Sequence, residues 1–212
     1  MSTLVTRFGR IALLCLAACG LPCLAQSDAA LERQVKAAFL YRFVDYVRWP
    51  EAVFPRSDSP IVIGVLADAT TVAEVQAVAS GRVVRGHPLV VRQVREGDLG
   101  GLQVLFIGEG ANARLQRIIR SVEGSVLIVT EAEDGLAHGS VINFVIAERR
   151  VRFEVALQPA AARSLTIASG LLSVAINVRK DSRFRDSQGG VLASARIRNR
   201  LLADRVRPLP TG

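Results

Sequence analysis

Between residues 28 and 48 the apolar positions keep a helical period. Val35, Phe39, Leu40, Phe43, Val44 and Val47 follow the i, i+4, i+8 spacing that gathers side chains on one face. A helix over 28–48 is expected, with this Phe and Val stripe turned into a core. Tyr41, Asp45 and Arg48 fall at i, i+4 and i+7, so on a continuous helix they share the opposite face. Pro50 disfavours the α conformation at the residue before it. The helix should therefore stop near Arg48, leaving Trp49, the chain's single Trp, at a forced corner. A cation on the last turn also suits the negative end of the helix dipole.

Downstream the pattern changes to short apolar runs separated by polar turns. Residues 61–66, rich in β-branched side chains, read as a strand buried on both faces. Asp68, Thr70 or Thr71 can cap a helix reaching about Ser80, with Val72, Val75, Val78 and Ala79 inward and Gly81 ending it. Segments 82–85 and 89–94 are strand-like, joined by a turn at Gly86-His87-Pro88. Residues 103–107 and 126–130 read as further buried strands. Between them a helix over 111–122 points Leu115, Ile118 and Ile119 inward and Arg114, Arg117 and Arg120 outward.

Residues 140–147 and 150–156 alternate as an antiparallel pair turned at Glu148-Arg149. Pro159 opens a short helix, and a last helix is expected over 169–178. Strands alternating with helices give an α/β fold, and the closing hairpin makes its sheet mixed.

The first 25 residues read differently. Arg7 and Arg10 precede an apolar run ending at Cys19, and Cys23-Leu24-Ala25 offers small residues at a cleavage site. This is a secretory signal peptide, too short and wrongly flanked for a membrane span. A competing reading takes Leu16-Ala17-Ala18-Cys19 as a lipobox, with lipidation at Cys19; cleavage after Ala25 gives the more ordinary apolar length. All three cysteines, Cys15, Cys19 and Cys23, precede that cut, so the mature chain would carry no disulfide.

Charge then separates two parts of the mature chain. Residues 26–178 hold sixteen basic and sixteen acidic side chains, and residues 179–212 hold nine and three. A domain at 26–180 is thus close to neutral, and the excess lies in a tail at 181–212 whose composition favours disorder. A nucleic-acid-binding domain would carry its basic charge on a folded face. The tail would instead touch an anionic membrane surface or an acidic partner.

Candidate chemistry is sparse. Gly108-Glu109-Gly110 follows a strand and precedes a helix, but it lacks the third glycine of a dinucleotide fingerprint, and Glu109 would repel phosphate. His87 and His138 are the only histidines and lack the convergent partners a metal needs. No serine stands in a nucleophile elbow. No cofactor, metal or catalytic residue is therefore expected. For Asp45, flanked by Arg42 and Arg48, the plain reading is an ion-paired surface; for Trp49 it is a packed corner plug.

The stretch KAAFLYRFVDYVRWP, residues 36–50, resembles the opening helix of the YfiR family. IVIGVLAD at 61–68, QVLFIGEG at 103–110 and the block 140–178 fit the same family, so the resemblance covers about 30–178. It implies a Rossmann-like three-layer sandwich in one domain. It also implies a non-enzymatic periplasmic protein, often dimeric, that represses a membrane diguanylate cyclase through its periplasmic part and so lowers cyclic di-GMP. An outer-membrane lipoprotein would compete for the repressor. The cysteine-free mature chain departs from the family's best-known member, which carries disulfides. Arg48 is the first candidate for a partner or anionic-ligand contact, with Tyr41 and Asp45 on the same line and Trp49 as support or part of it. The alternative is a periplasmic small-molecule binding or sensor module without a cyclase partner, using the crevice at the strand ends.

Overall fold

The Phe and Val stripe does form a helix. In the computed structural model, which describes residues 23–180 and their side chains from residue 28 onward, α1 spans Cys23–Tyr46. Residues 1–22 of the expected export signal (1–25), Cys19 among them, and the basic tail from residue 181 lie outside the described residues, whereas residues 23–25 begin α1. Leu40, Phe43 and Val44 are wholly buried, and the Phe43 ring packs edge-on against Phe153 at 5.0 Å between centroids. Burying one such side chain stabilises the fold by about 2 kcal/mol.

Helix α1 ends two residues before Arg48, which corrects the expectation that Arg48 closes its last turn. Val47–Arg48 instead form a short strand, β1, paired antiparallel with β9 (Thr166–Ile167). The Arg85 guanidinium donates to the carbonyls of Val44 at 2.7 Å and Val47 at 2.8 Å, and Ala168 N–H donates to the carbonyl of Tyr46. These long-range donors satisfy the carbonyls that the end of a helix leaves free.

The central strands form where β-branched and aliphatic runs can be covered on both faces. β2 (Ile61–Leu66) lies between β4 (His87–Gln93) and β5 (Val104–Ile107), parallel to both. β6 (Leu127–Thr130) and β7 (Ile142–Ala147) continue the parallel series beyond β5. β8 (Arg150–Ala156) returns antiparallel to β7, and β3 (Val83–Val84) pairs antiparallel with β4. With β10 (Asn177–Arg179) on the outer side of β8, the eight-stranded order is β10-β8-β7-β6-β5-β2-β4-β3, a mixed sheet as expected.

Period-two alternation divides the core between the faces. Ile61, Ile63, Val65, Val104, Phe106, Leu127 and Val129 pack under α1 and under α2 (Ala69–Ala79). Leu105, Ile107 and Ile128 pack on the other side, against Leu115, Ile118 and Ile119 of α3 (Leu115–Ser121). Three layers result, consistent with a Rossmann-like sandwich in a single domain. A 3-10 turn at Glu109–Arg114 leads into α3, and Arg163 closes its far end by donating to the carbonyls of Ile119 and Val122.

Two further expectations change. The turn after β3 is Arg85-Gly86, both at positive φ (52° and 88°), while His87 and Pro88 already belong to β4. After α4 (Leu157–Ala162), the last helix over 169–178 shrinks to α5 (Ser169–Leu172), and Asn177–Arg179 form β10, parallel to β8. The free edge of β8 offers a ladder of backbone groups that the β-branched residues Ile176 and Val178 can join in extended form.

Candidate functional site

The chain reverses its direction of travel across the sheet at β2. It steps to β4 on one side, then returns to place β5 on the other. The connections beyond the carboxyl ends of β2 and β5 diverge there, opening a crevice where doubly wound sheets bind ligands. A cleft of about 880 Å³ lies at this point. Ala37, Leu40, Val75 and Phe106 supply apolar lining. Asp68, Gly108 and Glu109 come from the two diverging connections, and Arg33 and Lys36 come from α1.

Lys36 is the buried charge of this region, only 8% exposed. Its ammonium lies 2.6 Å from Glu32, one helical turn away, and 2.5 Å from Glu131, just past β6. Burial alone would lower the Lys36 pKa. The hydrogen bonds and charges of Glu131 and Glu32 outweigh it and hold the pKa above its ordinary 10.5. Glu131 is itself fixed from both sides. Its other oxygen accepts from Glu109 N–H at 3.0 Å. The next residue, Ala132, is gripped by the buried Asn143 amide, which accepts from Ala132 N–H and donates to its carbonyl. Thr130 Oγ1 also donates to Asn143, at 2.7 Å.

The loops that could receive an anion are already occupied by the chain's own carboxylates. Asp68 caps α2, accepting from Thr71 N–H at 3.0 Å and from its hydroxyl at 2.8 Å. These bonds, the backbone one first, hold the Asp68 pKa below the usual carboxylate value. At the Gly108 turn, Glu131 takes the amide of Glu109. A side chain at Gly108 would put its Cβ 2.9 Å from Ala67 Cβ, so glycine is required there for close approach of the two connections. The partial glycine motif thus makes a tight turn, and its phosphate-cradling amide is filled.

The residues singled out from sequence stand at the other end of α1. Trp49 is half-buried, and its Nε1–H donates at 3.2 Å to the carbonyl of Gln103, which precedes β5, whereas the cleft lies beyond the end of β5. Arg48 is exposed and folds back to donate to the carbonyl of Asp45 at 3.2 Å. Asp45 is exposed as well. Tyr41 is half-buried, with the Arg82 guanidinium 4.5 Å over its ring, a cation–π contact. Arg48 leaves α1 for β1, so the single line Tyr41-Asp45-Arg48 is broken: Tyr41 packs, and Asp45 and Arg48 remain at the surface.

Sequence reasoning missed Lys36, Glu131, Arg33, Arg85 and Arg95. Two signals were available: Lys36 falls on the apolar face beside Ala37 and Leu40, four residues after Glu32, and Glu131 directly follows a buried strand. His87 stacks on Phe54 at 4.2 Å between centroids, and its Nδ1 bonds the carbonyl of Ser59 at 2.7 Å. Among the described residues no group of three or more His, Cys, Asp or Glu is arranged to hold a metal, and no helix is long and apolar enough to cross a membrane.

A three-layer sandwich with a mixed sheet and a polar cleft at its reversal point defines a Rossmann-like α/β protein. The YfiR/HmsC-like family matches residues 33–176, and the chain belongs to it. That family is regulatory and periplasmic and acts in diguanylate cyclase signalling. No curated protein matches the chain.

Proposed function

We propose that the chain is an exported regulator that represses an inner-membrane diguanylate cyclase by binding its periplasmic part, so lowering cyclic di-GMP. Family membership over residues 33–176 is the observation that carries this reading. An outer-membrane lipoprotein that competes for the repressor, and a homodimeric state, belong to the same proposal. The contact we assign is the Arg48 and Asp45 surface. Both side chains are exposed on backbone held by the Arg85 cap and by β9. A rigid platform of this kind suits an arginine anchor, because little order remains to be imposed on binding.

The test is cyclic di-GMP measured in the native host carrying wild type, Arg48→Ala or a deletion, with protein levels checked. Arg48→Ala should raise cyclic di-GMP toward the deletion level at unchanged protein abundance. Wild-type levels in Arg48→Ala would move the contact off this corner, and wild-type levels in the deletion would remove the repressor reading. The switch-point cleft favours a second reading, a periplasmic small-molecule binding or sensor module without a cyclase partner. The deletion separates the two.

A further inference from the structure

We infer that the switch-point cleft binds a small organic monocarboxylate with an apolar body. The inference goes beyond the repressor reading and holds whichever partner the protein has. Polar groups around the cleft divide into those already satisfied and those still open. Lys36 is already paired with two carboxylates, Glu32 and Glu131. Arg114 pairs with Glu96 at 2.9 Å. Asp68 and Glu131 hold the α2 amino terminus and the Gly108 turn, the two places where a phosphate would otherwise sit.

Two cations of the lining remain open. Arg33 Nε is shielded from solvent and has no hydrogen-bond partner among the described residues. Arg95 is exposed and likewise has none among them. Arg33 as a whole is only partly buried, and a guanidinium can only donate. The missing group is therefore an acceptor, and a carboxylate gives the strong charge-assisted form of that bond.

The remaining lining sets the rest of the class. The half-buried Leu66 and Ala67 and the exposed Ala29 give the cleft accessible apolar surface and call for an apolar body. The volume, about 880 Å³, lies within the range of small-ligand pockets. Glu32, Asp68, Glu96, Glu109 and Glu131 also line the cleft, so a second negative charge on the ligand would meet repulsion. A singly charged acid fits this balance better than a phosphate or a dicarboxylate.

The test is calorimetric titration of the mature protein with hexanoate and benzoate, against hexanamide, benzamide and inorganic phosphate. The acids should bind at least tenfold more tightly than the amides and than phosphate. Arg33→Gln and Arg95→Gln should each weaken acid binding several-fold, and Arg95, being exposed, can be changed without risk to folding. No heat from either acid, equal binding of acids and amides, or tighter binding of phosphate would overturn the assignment. Acid affinity unchanged in both variants, with wild-type circular dichroism, would overturn it as well. Binding is read on the pure protein and repression in cells, so either reading can fail alone.

Discussion

The two ends of α1 meet the sheet in opposite ways. At the Trp49 end the backbone polarity is closed off: Arg85 takes the last carbonyls, Trp49 bonds Gln103, and β1 pairs with β9. At the Lys36 end a buried cation sits between two carboxylates beside an open cleft, and Arg33 keeps a shielded donor unused. Aromatic and Pro residues made the first end conspicuous, yet their role there is to terminate a helix and plug a corner. Unspent hydrogen-bonding capacity marks the second end. Bulk and rigidity thus point to a platform for a partner, and unsatisfied polarity points to a place for a ligand.

The largest expected effect tests the Lys36 end. Lys36→Met leaves Glu131 without its cation and should cost about 3 kcal/mol, since breaking a buried pair strands the other charge. Urea denaturation reads this, and Lys36→Met with Glu131→Leu should recover most of the loss. The same pair gives a pH signature. Lys36 has a raised folded-state pKa, so its contribution is complete below the ordinary value of 10.5 and is lost as pH climbs through the raised value. The alkaline fall in wild-type urea midpoint should shrink in Lys36→Met.

Arg85→Ala comes next, at the opposite end. Removing a cap that serves the carbonyls of Val44 and Val47 should cost about 2 kcal/mol, with amide exchange speeding up around residues 44–48. An effect equal to that of Lys36→Met would erase the contrast in charge burial between the ends. Asp68→Ala should cost about 1 kcal/mol through the lost α2 cap. Because the folded pKa of Asp68 is lowered, its contribution stands above about pH 4 and is lost as pH falls through the lowered value. Acid titration of wild type and Asp68→Ala should therefore converge at low pH.

The smallest effect on folding, within about 0.5 kcal/mol, is expected for Arg48→Ala, an exposed side chain with one weak backbone bond. Its thermal midpoint should match wild type while repression falls. A large drop in midpoint would make Arg48 part of the corner's structure and leave the partner surface to be found elsewhere.

Local periodicity was enough to read much of the architecture from the chain. The Phe39–Phe43 stripe, the apolar strands, the Asp68 cap and the hairpin at Glu148-Arg149 each depend on residues close in sequence. The sheet order, and hence the cleft, depends on which strands lie side by side, and spacing along the chain does not encode that. Arg85 is 38 residues from Val47 and Arg163 is 44 from Ile119, so neither cap could be foreseen, although each decides where a helix stops. Residues 169–178 were misread because propensity there is weak and the open edge of β8 pulls 177–179 into a strand. The cleft pair is illegible in the sequence for a related reason. Trp49 and Arg48 stand out by residue type, whereas Lys36 and Glu131 become a unit only when folding brings positions 95 residues apart to within 2.5 Å. The sequence determines which segments are buried and of what kind. The tertiary structure decides which polar groups are left with no partner, because only packing removes them from water.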